Sequence, residues 1–178
     1  LAVFALSAAM IVSLGACGTS EKSDSAASSD SESSSNTTGY DVSGVTKDDD
    51  IAAMLPESVT KDGKLTVGMD TSYAPAEFLA EDGKTPVGFD VDIAKALANM
   101  FGLEVVPQTE GTLEALGEDV GVTKEAVAIK KGDSDTAKAV QAALQKLMDD
   151  GTYMKILKHW GVENGAIDKA EINPTDLD

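Results

Sequence analysis

KLTVGMDTSYAPAEFLAEDGKTPVGFDVDIAKALANMF, residues 64–101, reads as a strand, an irregular loop, a short turn and a helix in quick succession. Leu65, Val67 and Met69 alternate with Lys64, Thr66 and Gly68, the period-two pattern of a strand with one buried face. Pro75 prevents Thr71 to Pro75 from continuing a regular ladder, so Asp70, Ser72 and Tyr73 are presented at the C-terminal edge of that strand. Open α/β sheets generally bind ligands at that edge. Ile93, Ala96, Leu97 and Met100 then recur at helical spacing, with Asp90 or Asp92 expected as cap and Gly102 as stop. Leu103 to Val106 reads as a second strand, which completes a βαβ unit with its crossover helix.

Two blocks of this chain resemble a known family. The stretches MDTSYAPAEF (69–78) and DGKTPVGFDVDIAKAL (82–97) are similar to the start of the first lobe in the polar amino-acid-binding proteins of bacterial ABC importers, the extracellular solute-binding proteins of family 3. AVAIKKGDSDTAKAVQAALQKLMDDGTYMKILKHWGV (126–162) resembles the end of the same family's chain, including the DGTY turn before the final helix. The resemblance implies an α/β, periplasmic-binding-protein-like first lobe: a small sheet with flanking helices, in which Ala126 to Ile129 is the strand that re-enters the lobe. Between the two blocks it also implies the rest of the first lobe, both hinge strands and nearly all of a second lobe. Here QTEGTLEALGEDVG, residues 108–121, stands in their place. The chain is therefore expected to carry an internal deletion, with the second lobe missing.

The bulk composition narrows the function. Among 178 residues, Asp and Glu number 31 against 14 cations, all of them lysine, a formal charge of −17. Nucleic acid requires clustered cations and is excluded as a partner. Such acidity keeps a secreted protein soluble. No paired acid and base, no Ser/His/Asp or Cys/His set and no metal-ligand cluster stands out, so no enzyme and no cofactor is expected. His159, the sole histidine, sits beside Lys158 near a helix end, where a cation suits the dipole.

The N-terminal quarter has another character. Leu1 to Leu14 is an almost uninterrupted apolar run, too short to span a bilayer, and it leads into Leu14, Gly15, Ala16 and Cys17. This resembles a bacterial lipobox, which implies a signal peptide over residues 1–16 and a Cys17 thiol carrying lipid; the other reading is an ordinary secretory signal with an incidental cysteine. Cys17 is the only cysteine, so no intramolecular disulfide forms. From Gly18 to Thr38 about half the residues are serine, and such a composition builds no core. The expected organisation is a lipidated Cys and flexible tether over 17–46, the truncated lobe over 47–164 and a tail over 165–178. Asp48, Asp49 and Asp50 read as a solvated run capping a short helix that holds Ile51, Ala52, Met54 and Leu55.

The C-terminal part reads as two helices. Val140, Ala143, Leu144 and Leu147 form one apolar stripe, with Ser134 as the expected cap and Gly151 just past the end. Tyr153, Ile156, Leu157 and Trp160 form another, facing the core.

A free amino acid is a zwitterion. Its site must offer donors to the carboxylate and acids to the ammonium, within apolar walls. The resemblance assigns Asp70 to the ammonium and Tyr73 to an aromatic wall, with Ser72 between them; on the other reading Asp70 caps its loop and Tyr73 packs on the lobe. Ala76 stands where many relatives carry phenylalanine, and Glu77, Phe78, Gly88 and Phe89 are read as supporting the fold. The family's carboxylate-clamping arginine has no counterpart here, and lysine lacks the planar fork. Loss of such a pair costs about 3 kcal/mol, roughly a hundredfold in affinity. The functions in view are thus a lipid-anchored receptor for a polar amino acid, glutamine-like among the options, working with an ABC permease on the extracytoplasmic face of the cell membrane, or a binding-deficient lipoprotein lobe with at most permease contacts.

Overall fold

The computed structural model describes residues 37–109 and 125–174. Cys17, the apolar leader, most of the serine-rich stretch and most of the 108–121 segment lie outside them. Strand β1 (Lys64–Gly68) pairs in parallel with β2, which spans Glu104–Gln108, in the register Leu65 to Val105 and Val67 to Pro107. Between them lie a three-stranded antiparallel sheet of short strands, β3 (Ser72–Tyr73), β4 (Glu77–Leu79) and β5 (Pro86–Val87), and a helix, α3 (Phe89–Phe101). Two short helices, α1 (Asp49–Ala52) and α2 (Glu57–Thr60), precede β1. Two longer ones, α4 (Ser134–Asp149) and α5 (Thr152–Trp160), close the described fold. No described helix is long and apolar enough to cross a membrane.

The core is the meeting of the three long helices. Ala96, Leu97, Met100 and Phe101 of α3 pack with Ala139, Ala143 and Leu147 of α4 and with Tyr153, Ile156, Leu157 and Trp160 of α5. On α4 the buried positions fall four apart, which places them on one line of the helix. Small alanines on α3 and α4 let the backbones approach, and Met100, Leu147 and Ile156 fill the space between. Met69, Val91 and Ala94, with Val67 and Val105, form a second cluster that seats the parallel strands on α3.

The α/β fold class, the strands at 64–68 and 104–108 and the three long helices match the expectations from sequence. Several local readings are corrected. Ala126 to Ile129 is not a strand: residues 125–130 have no regular structure, and Val127 is exposed, because among the described residues no neighbour offers that backbone a ladder. Neither Asp90 nor Asp92 caps α3, whose cap is Gly88 with no side-chain bond; Asp90 is half-buried and Asp92 fully buried. Asp133, not Ser134, caps α4, accepting from the Thr136 N–H at 3.1 Å. Asp48 does cap α1, accepting from the Asp50 and Ile51 N–H groups, but Met54 and Leu55 lie beyond that helix. The last residues of the expected tether are part of the lobe, since the Val42 side chain is buried and Tyr40 is hydrogen-bonded to α3. The expected tail likewise packs: Ala170 is buried and exchanges hydrogen bonds with Gln141 and Gln145 of α4.

Gly102 ends α3 at φ 70°, and Gly151, at φ 78°, turns the chain from α4 into α5. Gly88 does the most for the site. Its φ of 138° and ψ of 170° lie where only glycine is at ease, and a Cβ there would stand 2.0 Å from the Ala76 carbonyl oxygen. This close approach lets the Phe89 N–H donate to Pro75 O (3.1 Å) and the Asp90 N–H to Ala76 O (3.0 Å). The loop after β1 is thereby pinned to the first turn of α3.

Candidate functional site

Beyond β1 the chain turns at Asp70. Its Oδ1 accepts from the Ser72 N–H (3.2 Å) and Oγ–H (2.7 Å), a local turn that shapes the loop. The Asp70 N–H in turn donates to Glu77 Oε1 at 2.9 Å. Tyr73 is 65% exposed, so it does not pack on the lobe; its ring is presented to solvent beside that turn. Asp70, Ser72 and Tyr73 therefore stand together at the strand edge. Asp70 also takes the loop-capping position that was its second reading.

Three further acids complete an acidic face. Asp90, from the first turn of α3, has its carboxyl pushed up to about 7, by burial first and then by the charges of Glu125 and Glu77. Burial also raises the Glu77 carboxyl, the Asp70 N–H opposes that rise, and the Asp70 charge adds to it. Glu125, at the start of the segment leading to α4, is raised by burial and by Glu77. Tyr153 of α5 borders the same face. Burial raises its phenol, the Ile167 N–H bond opposes this, and the charges of Asp90 and Glu125 raise it further.

Like charges gathered in a partly desolvated place favour protonation or a cation. The ion pairs among the described residues, Lys47 with Asp49, Lys95 with Asp92, Lys146 with Asp48 and Lys169 with Glu171, involve none of these four carboxylates. Chemically the face is an acceptor surface suited to an ammonium or guanidinium group. No group of three or more potential metal ligands is gathered among the described residues.

Of the residues gathered here, the sequence put forward Asp70, Ser72 and Tyr73 as candidates and did not put forward Glu77, Asp90 or Glu125. Asp90 was read as a cap and Glu77 as a fold residue. One signal was available for Asp90, since an acid two residues past a glycine of special conformation is carried wherever that glycine docks the helix. Glu125 had no signal in the sequence.

Comparison with known proteins adds to this geometry. Residues 65–121 match the family described as bacterial extracellular solute-binding proteins, family 3. A 70-residue stretch is 36% identical to the arginine-binding protein ArgT of Corynebacterium glutamicum, covering 39% of this chain and 23% of that protein. The chain thus spans about a quarter of that relative's length. Among solved structures, the arginine-bound form of domain 1 from TmArgBP, and its Phe57Trp mutant, align over 52% of this chain at 22% identity and a TM-score of 0.43.

Proposed function

We propose that this chain, whose residues 65–121 match the family of bacterial extracellular solute-binding proteins, family 3, recognises a polar amino acid through the acidic face at the C-terminal edge of β1 and serves an ABC importer. The observation that carries the reading is the convergence of Asp70, Glu77, Asp90 and Glu125 without an ion-pair partner among the described residues. Such a face accepts the α-ammonium of any amino acid. It favours a ligand with a second cationic group over a neutral, glutamine-like one, because each added positive charge offsets the repulsion among the acids. The name of the curated relative, an arginine-binding protein, agrees with that preference.

Affinity is modest. Every cation in the chain is lysine, so no bidentate guanidinium fork holds the ligand carboxylate. Dissociation constants weaker than about 100 μM follow for the chain as it stands. The same observation favours a second reading, a lobe that no longer binds and retains only permease contacts.

Calorimetric or NMR titration of the full chain with L-arginine, L-lysine, L-glutamine and L-glutamate separates the two. Saturable binding in the order cationic, then neutral, then acidic, weakened in Asp70→Ala, supports recognition. No response to any of the four leaves the binding-deficient lobe. Anchoring is part of the same proposal: Cys17 carries lipid and holds the chain on the extracytoplasmic face of the membrane. Radiolabelled fatty acid should enter the protein in a bacterial host, and Cys17→Ala should abolish labelling and release the chain from membranes. Labelling that survives the substitution ends that idea.

A further inference from the structure

The chain ahead of β1 makes contacts that a linker would not. The Tyr40 N–H donates to Asp92 Oδ2 at 2.7 Å, and the Trp160 indole Nε1–H donates to the same oxygen, also at 2.7 Å. His159 Nε2 lies 2.7 Å from Thr38 O, so that nitrogen carries the proton and donates. The His159 ring meets Tyr40 edge-on at 5.6 Å and Trp160 at 5.3 Å. Further along, the Asn99 side-chain amide donates to Val42 O (3.0 Å), Val42 is buried, and the Asp48 N–H donates to Met100 O (2.9 Å).

Asp92 is the centre of this arrangement. Its side chain is wholly buried. Oδ1 has no hydrogen bond, its nearest cation is Lys95 Nζ at 3.5 Å, and Gly39 lies over it so closely that a Cβ there would stand 2.7 Å away. A buried carboxylate is stable only while its donors are present and water is kept out or fully admitted. One donor comes from residue 40 and the other from residue 160. Removing the first uncovers Oδ1 and takes a partner from Oδ2, the oxygen that holds the second.

We infer that residues 38–45 form a strap clasped onto the lobe through Asp92, so that release of the strap and loosening of the last turn of α5 are one opening event. A pull or a partner acting on the chain ahead of Thr38 is then transmitted to the last turn of α5 through Asp92 Oδ2 and the His159–Thr38 hydrogen bond, instead of being absorbed by a slack linker. The inference does not depend on amino-acid binding.

Native-state hydrogen exchange on the full 15N-labelled chain tests it, since the Tyr40 amide and the Trp160 indole N–H both give signals and Trp160 is the sole tryptophan. With intrinsic rates corrected, the two should show protection equal within about threefold and lose it in parallel in sub-denaturing urea. A larger difference overturns the inference. Gly39→Ala should lower both protections by about tenfold or more while β1 amides stay within twofold; loss at Tyr40 with protection kept at Trp160 also overturns it. Should Gly39→Ala unfold the lobe, shown by loss of the β1 amides, the comparison in the unmodified chain decides alone.

Discussion

Gly88→Ala is the sharpest perturbation of the link between fold and site. At φ 138° and ψ 170° an alanine occupies a region nearly closed to side chains, at a cost of about 1–3 kcal/mol. The new Cβ would also stand 2.0 Å from Ala76 O, 2.5 Å from Ala76 C and 2.9 Å from Glu77 N. All three are backbone atoms, so no flexible side chain can move aside. The loop and the helix must part, and the hydrogen bonds from Phe89 N–H to Pro75 O and from Asp90 N–H to Ala76 O weaken together. At about 0.5–1.5 kcal/mol net for each bond, the combined loss is about 4 kcal/mol. For a domain of this size that lowers the melting temperature by about 15 °C. The control is Gly132→Ala, at φ 89° with nothing within 4 Å of the new Cβ, which carries only the backbone cost of about 1–2 kcal/mol. Thermal unfolding followed by circular dichroism measures both. Equal losses in the two variants, or a fall of less than about 4 °C for Gly88→Ala, would refute the close-approach argument.

Asp90 sets a pH dependence. Its pKa is raised from 3.8 in the unfolded chain to about 7, so the folded state holds a proton that the unfolded state has released between those values. Stability therefore falls as pH rises from about 4 to about 7, by at most about 4 kcal/mol. Asp90→Asn should remove that slope and be the more stable chain at pH 8; parallel denaturation curves for the two proteins at pH 5 and pH 8 would contradict the assignment. If a cationic amino acid binds this face, affinity should increase through pH 7 as Asp90 ionises, with proton release visible as a buffer-dependent heat in calorimetry. Leu147→Ala, at the wholly buried centre of the helical core, should cost about 2–5 kcal/mol in chemical denaturation. A loss under 1 kcal/mol would mean that α4 does not pack as described. Trp160→Phe keeps the ring but removes one of the two donors to Asp92 Oδ2, and should cost about 1–3 kcal/mol beyond the change in apolar area.

Much of the architecture is written locally. The alternation of Leu65, Val67 and Met69 predicts β1, and the stripes at 93–101, 140–147 and 153–160 predict the three long helices. The glycines at 102 and 151 mark helix boundaries because a left-handed residue there exposes no Cβ to strain. These signals depend on neighbours a few residues apart, which any reading of the chain has in view. Asp70, Ser72 and Tyr73 were expected in an irregular loop, but Ser72 and Tyr73 form β3, paired with Phe78 and Glu77 across Pro75, a pairing that the local pattern does not signal.

What only the tertiary structure decided is which polar groups meet. Asp90 and Asp92 lie two residues apart, and an α-helix turns about 200° over that interval, so they serve opposite surroundings. Asp90 faces Glu77 and Glu125, while Asp92 is closed in by Tyr40 and Trp160. Both look alike as acids in a first helical turn, and sequence alone read them as interchangeable caps. Ala126 to Ile129 has a strand's composition, yet a strand is stabilised by a hydrogen-bonded neighbour that its own sequence does not supply. Apolar periodicity tells each segment which face to bury. The partners found on that face depend on packing among segments dozens of residues apart, and no local pattern records them.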